Sequence, residues 1–177
     1  MRRHIVLVGL PGVGKSTVGR LVSEGLPAPL IDIDQLLVRQ VGRPIDQIFG
    51  MMGEPVFREM EREAVAAALD GDPAVIVPGG GWAVQPGQIE TAMRLSLIIY
   101  LKCAAATAVR RSKEGEVRPL LAGLDPEFDP LEQMNTLLRE REPFYHLAHH
   151  EVATGTREAP EVAGEVMELA RSHAGWA

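Results

Sequence analysis

Cysteine is almost missing from this chain. Cys103 stands alone among 177 residues, which excludes an intrachain disulfide and any metal site built from several thiolates. Lysine is nearly as scarce: only Lys15, Lys102 and Lys113 occur, and arginine carries the remaining positive side-chain charge. Arginine presents a fork of donors that suits phosphates and carboxylates. No basic excess exists either, since the formal net charge is -6, which argues against a nucleic acid held through its phosphates. No apolar run approaches the ~20 residues of a membrane-spanning helix. The opening MRRHIVLVGL is basic and then apolar, as a secretion signal would be. Its apolar run is too short, and it leads straight into a motif that the fold requires. The expectation is a cytoplasmic protein with no membrane and no nucleic-acid partner.

What is present is an alternation. Strand-like runs fall at His4–Val8, Leu30–Ile33, Ala74–Val77 and Leu95–Leu101, with a weaker one around Glu151–Thr154. Helical patterns follow Lys15, Asp34, Glu54, Gln88, Ala104, Pro130 and Ala159. The order predicts an α/β fold, a five-stranded parallel sheet with helices on both faces, in one domain over residues 1–177. Ligands of such sheets sit at the carboxyl ends of the strands. The polar, Gly- and Pro-punctuated stretch at about 112–130 is expected to be a mobile lid, because long loops in compact domains often cover active sites.

The strongest motif is GLPGVGKST, Gly9 to Thr17, which fits G-x-x-x-x-G-K-[ST] in full and lies between a strand and a helix. Its glycines let backbone N–H groups converge on phosphate oxygens at the positive end of a helix. Gly12, Val13, Gly14, Lys15, Ser16 and Thr17 are therefore expected to bind ATP, with Lys15 on the β- and γ-phosphates and the Ser16 hydroxyl on Mg²⁺.

A magnesium-binding acid is expected at the end of a neighbouring strand. The third strand supplies none: it runs into Pro78, Gly79, Gly80 and Gly81. The remaining source is IDID, where Asp32 and Asp34 would point the same way from an extended segment, one toward magnesium through water and the other toward an acceptor. The plainer reading is that one of them caps the following helix. Without side chains, Gly79, Gly80 and Gly81 offer a backbone surface on which a small phosphoryl acceptor can lie. On the helix that opens at Glu54–Pro55, Arg58 and Glu61 are three apart and share a face, so Glu61 can hold the guanidinium.

Six pieces in order, GLPGVGKSTVGRL, IDID, IFGMMGEPVFREMERE, GGG, VRPLL and REREPFY, resemble shikimate kinase over nearly the whole chain. The resemblance implies a P-loop kinase fold, an acceptor-binding region at about 34–62, and ATP-dependent phosphorylation of the 3-hydroxyl of shikimate in aromatic amino-acid biosynthesis. ATP and shikimate would be the partners, Mg²⁺ the cofactor, and the working form a monomer. Asp34 would hold shikimate hydroxyls and help to accept a proton. Arg58 and Arg141 would clamp the carboxylate, and the Gly80 amide would contact a hydroxyl. Arg118 would swing onto the phosphates with the lid, and Arg111 would pack beside adenine near Thr154. Asp32 would orient magnesium through water. Ile45, Phe49, Phe57 and Pro119 are available as an apolar wall. Gluconate, a nucleoside monophosphate, or a non-catalytic ligand sensor are the alternatives on the same scaffold.

The chain departs from the family at three points: Pro78 stands before the glycines where a threonine is usual, Trp82 follows them, and the segment after RPLL is longer and acidic. Trp82 is bulky enough to narrow the acceptor pocket. His146 and His149 are spaced to share a metal on a helix, but without a third ligand they are expected to sit on a solvated helix end.

Overall fold

The computed structural model describes residues 1–114 and 127–177, so Arg118 and Pro119 and most of the expected lid lie outside the described residues. The strands are β1 (His4–Val8), β2 (Leu30–Asp32), β3 (Val75–Val77), β4 (Ser96–Lys102) and β5 (His150–Ala153). They form one sheet in the order β2-β3-β1-β4-β5, and every pairing is parallel. β1 and β3 are buried at every residue and β4 at all but Lys102. Burial of successive residues means that both faces are covered, as a parallel sheet requires. The edge strands β2 and β5 are partly exposed.

The helices are α1 (Lys15–Gly25), α2 (Ile33–Val41), α3 (Ile45–Met52), α4 (Glu54–Asp70), α5 (Gln88–Ala92), α6 (Ala105–Glu114), α7 (Pro130–Tyr145) and α8 (Ala159–His173). Val18 and Val22 of α1 are buried, as are Val162, Val166 and Ala170 of α8, and the two helices pack together. Each of these valines contributes about 1.5–3 kcal/mol by leaving water. Gly19 lets α1 approach the sheet, because a Cβ there would lie 2.7 Å from Val77 Cγ2. No helix among the described residues is long and apolar enough to cross a membrane.

Two elements differ from expectation. The segment before Glu54 contains a separate helix, α3, which is absent from the helical patterns read from the sequence. Gly42, Pro44, Gly50 and Gly53 punctuate it, yet Gly50 sits inside the helix with open space around it, and Ile48 is buried. Tertiary burial outweighs the ~1 kcal/mol cost of an interior glycine. The second is α2, which starts at Ile33, so Asp34 is not on an extended segment with Asp32 but in the first helical turn.

Candidate active site

The five strand ends feed one large cleft of about 1830 Å³. One wall is the loop between β1 and α1. Gly9, Gly12 and Gly14 have φ of 150°, 78° and 104°, a region that side chains rarely adopt. A Cβ at Gly12 would also lie 2.5 Å from the Ala108 carbonyl, whereas the space beside Gly14 is open. Lys15 Nζ donates to the carbonyls of Gly9 (2.8 Å) and Leu10 (2.9 Å), which folds the ammonium back over the loop. The first turn of α1 holds no acidic residue, so its N–H groups and positive dipole end face the cleft undiluted. Val13 is buried, and Thr17 is exposed and lines the cleft.

Ser16 Oγ donates to Asp32 Oδ2 at 2.6 Å, while the other carboxylate oxygen, Oδ1, accepts from the Gln35 N–H at 3.2 Å. Asp32 is thus the N-cap of α2 and the neighbour of the P-loop serine at once. The helix start sets the carboxylate's direction, and the two roles use different oxygens. A hydroxyl and a carboxylate side by side are hard oxygen donors, the set that Mg²⁺ takes together with waters and substrate phosphates. No cluster of three His, Cys, Asp or Glu side chains able to hold a metal occurs among the described residues.

The opposite wall is made of side chains from several elements meeting the glycine loop after β3. None of Gly79, Gly80 and Gly81 has a positive φ, so they are present for space and not for conformation. A Cβ at Gly79 would collide with Glu61 Oε2 and lie 3.2 Å from Asp34 Oδ1. At Gly80 it would lie 3.0 Å from Arg141 Nη1, and at Gly81 within 2.5–2.7 Å of the Arg58 guanidinium. Three consecutive glycines thus seat two carboxylates and two guanidiniums against the backbone. The Tyr145 hydroxyl donates to the Gly80 carbonyl at 2.6 Å and pins the loop to the end of α7. Burial pushes that phenol up to about 12, so it stays a donor at neutral pH.

Arg58 Nη1 donates to Glu61 Oε1 at 3.1 Å. The guanidinium lies 5.7 Å from the Phe49 ring and 5.5 Å from the Phe57 ring, which pack on each other at 4.4 Å. This is not a solvated helical ion pair: Glu61 is fully buried and Arg58 is 18% exposed. Glu61 Oε2 has no hydrogen-bond partner among the described residues. Burial raises the Glu61 carboxyl to about 7, against the opposing pull of Arg58 and with a further push from Asp34. Ile45, Phe49 and Phe57 all line the cleft.

Beyond the P-loop, Arg111 Nη1 donates to the Val13 carbonyl and to Thr154 Oγ1, both at 3.0 Å, and Nη2 donates to the Gly155 carbonyl at 2.7 Å. Arg111 therefore ties the P-loop to the segment after β5. Thr154 is buried, its hydroxyl donating to the Lys102 carbonyl at 3.2 Å. The cleft continues along Thr156, Arg157 and Glu158, which the sequence reading does not single out. The signal available for them was position alone, directly after the last strand.

Two expectations are corrected. Trp82 does not narrow the cleft: it is fully buried, and its Nε1 donates to Gln88 Oε1 at 3.1 Å. The solvated helix end holds for His146, the exposed C-cap of α7, but not for His149, which lies beyond the helix just before β5. His146 pairs with Glu151 and Glu142, and His149 Nδ1 accepts from the Ile98 N–H at 3.0 Å.

A family model described as shikimate kinase matches residues 11–171. A shikimate kinase of Moorella thermoacetica is 36% identical over 172 residues, 97% of this chain and 96% of that relative. One of Mycobacterium avium is 42% identical over 148 residues, 84% of this chain and 81% of that relative. Among solved structures, shikimate kinase from Acinetobacter baumannii in complex with shikimate matches with a TM-score of 0.88 at 28% identity, covering 97% of this chain and 94% of that one.

Proposed function

The chain belongs to the shikimate kinase family, so it is an ATP-using enzyme that phosphorylates shikimate toward aromatic amino acids, and we propose how its own residues divide that work. The observation that carries the reading is the glycine loop after β3, where Arg58 and Arg141, from two different helices, lie against consecutive glycines across the cleft from the P-loop. Paired guanidiniums suit one carboxylate. They clamp the shikimate carboxylate, and Asp34 beside Gly79 accepts hydrogen bonds from the ring hydroxyls and takes the proton of the attacking 3-hydroxyl. Phe49, Phe57 and Ile45 supply the apolar side of the ring's seat.

On the other wall the amides of residues 12–17 hold the ATP phosphates, and Lys15 leaves the loop carbonyls for the β- and γ-phosphates. Ser16 and Asp32 would hold Mg²⁺, Asp32 through water. When bound, that ion neutralises charge on the transferred group. Arg118, which lies outside the described residues, would add positive charge at the phosphates, while Arg111 and Thr154 shape the adenine end. Phosphoryl transfer then needs positioning and charge neutralisation, with water kept out. A coupled ADP-release assay with ATP and Mg²⁺ tests the reading. Release is expected with shikimate, and not with gluconate, AMP or no acceptor; equal release with gluconate would overturn the assignment of the acceptor wall.

A further inference from the structure

The loop that carries the glycines continues in a chain of turns wound on a buried anchor. Trp82 N–H donates to the Gly79 carbonyl (3.1 Å), Gln85 N–H to Trp82 (3.1 Å) and Gln88 N–H to Gln85 (3.2 Å). Trp82 is fully buried and holds this winding in place, and the winding delivers the Gln85 side chain to α4. Gln85 is only 8% exposed, so its amide has to find partners inside the protein. Nε2 donates to Glu61 Oε1 at 3.0 Å, and Oε1 accepts from Arg62 Nη1 at 2.6 Å. Arg62 thereby fixes which way the amide faces, because the flipped amide would set its oxygen against a carboxylate.

Glu61 Oε1 receives both Gln85 and Arg58, so the amide and the guanidinium are held by one buried oxygen. Among the described residues Arg58 also pairs with Glu54, at 3.4 Å and largely in solvent, where an ion pair contributes little. The place of the Arg58 guanidinium against Gly81 is therefore set through Glu61. We propose that Gln85 is a positioning residue for the acceptor: it fixes Glu61, and through Glu61 it fixes Arg58 where the acceptor carboxylate is held. The inference rests on the role proposed above for Arg58.

The test uses Gln85→Leu, with Gln85→Met as the second variant of similar length, and calorimetric titration of shikimate beside steady-state kinetics. Loss of a buried hydrogen bond to a charged group should weaken shikimate binding by about tenfold and leave the KM for ATP unchanged. A role confined to stability would lower Tm without that selective change, and would overturn the proposal. In an Arg58→Ala background the Gln85 substitution should add nothing further. An equal tenfold loss in that background would mean that Gln85 touches shikimate directly, also overturning it. If Arg58→Ala weakens shikimate binding and neither Gln85 variant does, the inference fails and the Arg58 reading stands. If Arg58→Ala itself leaves binding unchanged, the carboxylate sits elsewhere and both fail.

Discussion

The two walls of the cleft receive anionic oxygen by opposite means. The phosphate wall is backbone: glycines at positive φ, amides at the start of α1, and a lysine resting on loop carbonyls. Its parts lie within nine consecutive residues, Gly9 to Thr17. The acceptor wall is side chain: Asp34 from α2, Arg58 and Glu61 from α4, and Arg141 from α7, seated on glycines that have ordinary φ. Glycine serves conformation on one wall and clearance on the other. The first needs one strand, one loop and the start of one helix, whereas the second exists only when three helices and a strand end are already packed.

That contrast is broken most severely at Asp34. Asp34→Asn should reduce turnover by about 10³-fold, the scale of general-base loss, while ATP affinity stays close to that of the unaltered enzyme. Turnover near the normal value would remove Asp34 from the proton transfer and reduce the acceptor wall to a binding surface.

The glycines sharpen the contrast further. Gly81→Ala puts a methyl within 2.5–2.7 Å of the Arg58 guanidinium, which has to move. Shikimate affinity should fall by roughly 10- to 100-fold, the worth of a displaced charge-assisted contact, with ATP affinity retained. Gly12→Ala meets a backbone carbonyl at 2.5 Å in a left-handed conformation, so nothing nearby can yield cheaply. ATP affinity and Tm should fall together there, and shikimate binding in the absence of ATP should persist. Calorimetry with each ligand separates the cases, and a matching loss of both ligands in both variants would dissolve the distinction between the walls.

The same contrast explains what could be read from sequence. The P-loop is contiguous and its spacing is its geometry, so its residues are legible without a fold. The strands were legible for the same reason: Val75–Val77 and residues 97–101 are unbroken apolar runs, as a sheet covered on both faces requires. Of the acceptor wall, the three glycines, the IDID acids and the Arg58–Glu61 pair were legible, but the clamp of Arg58 and Arg141 could be named only through resemblance to a family, since nothing in the spacing of Arg58, Gly81 and Arg141 announces that they touch. Gln85 carries no signal at all, because its role depends on how a turn winds around Trp82. Trp82 misled for a related reason: bulk next to a site reads as obstruction, but the turn sends the indole into the core. α3 was hidden by four glycines and prolines whose local message tertiary burial overrides.

A wall made of buried side chains also acquires a pH dependence that a wall of amides lacks. Glu61 is buried with one oxygen unpartnered among the described residues, and its carboxyl stands at about 7 in the folded protein against an ordinary 4.5. The folded state therefore holds a proton that the unfolded chain releases, and stability falls as pH rises from about 4.5 through about 7. The loss is complete once the folded carboxyl has ionised. Glu61→Gln keeps the oxygen that accepts from Arg58 and Gln85 but cannot ionise. Relative to that variant, the unaltered protein should lose roughly 1 to 2 kcal/mol between about pH 5.5 and pH 7, read from urea unfolding at each pH. All other titrating groups are shared, so the difference between the two curves reports this carboxyl. Parallel curves would mean that the Arg58 charge offsets burial in full; a difference of opposite sign would make the ion pair, and not the dry pocket, the dominant force on the acceptor wall.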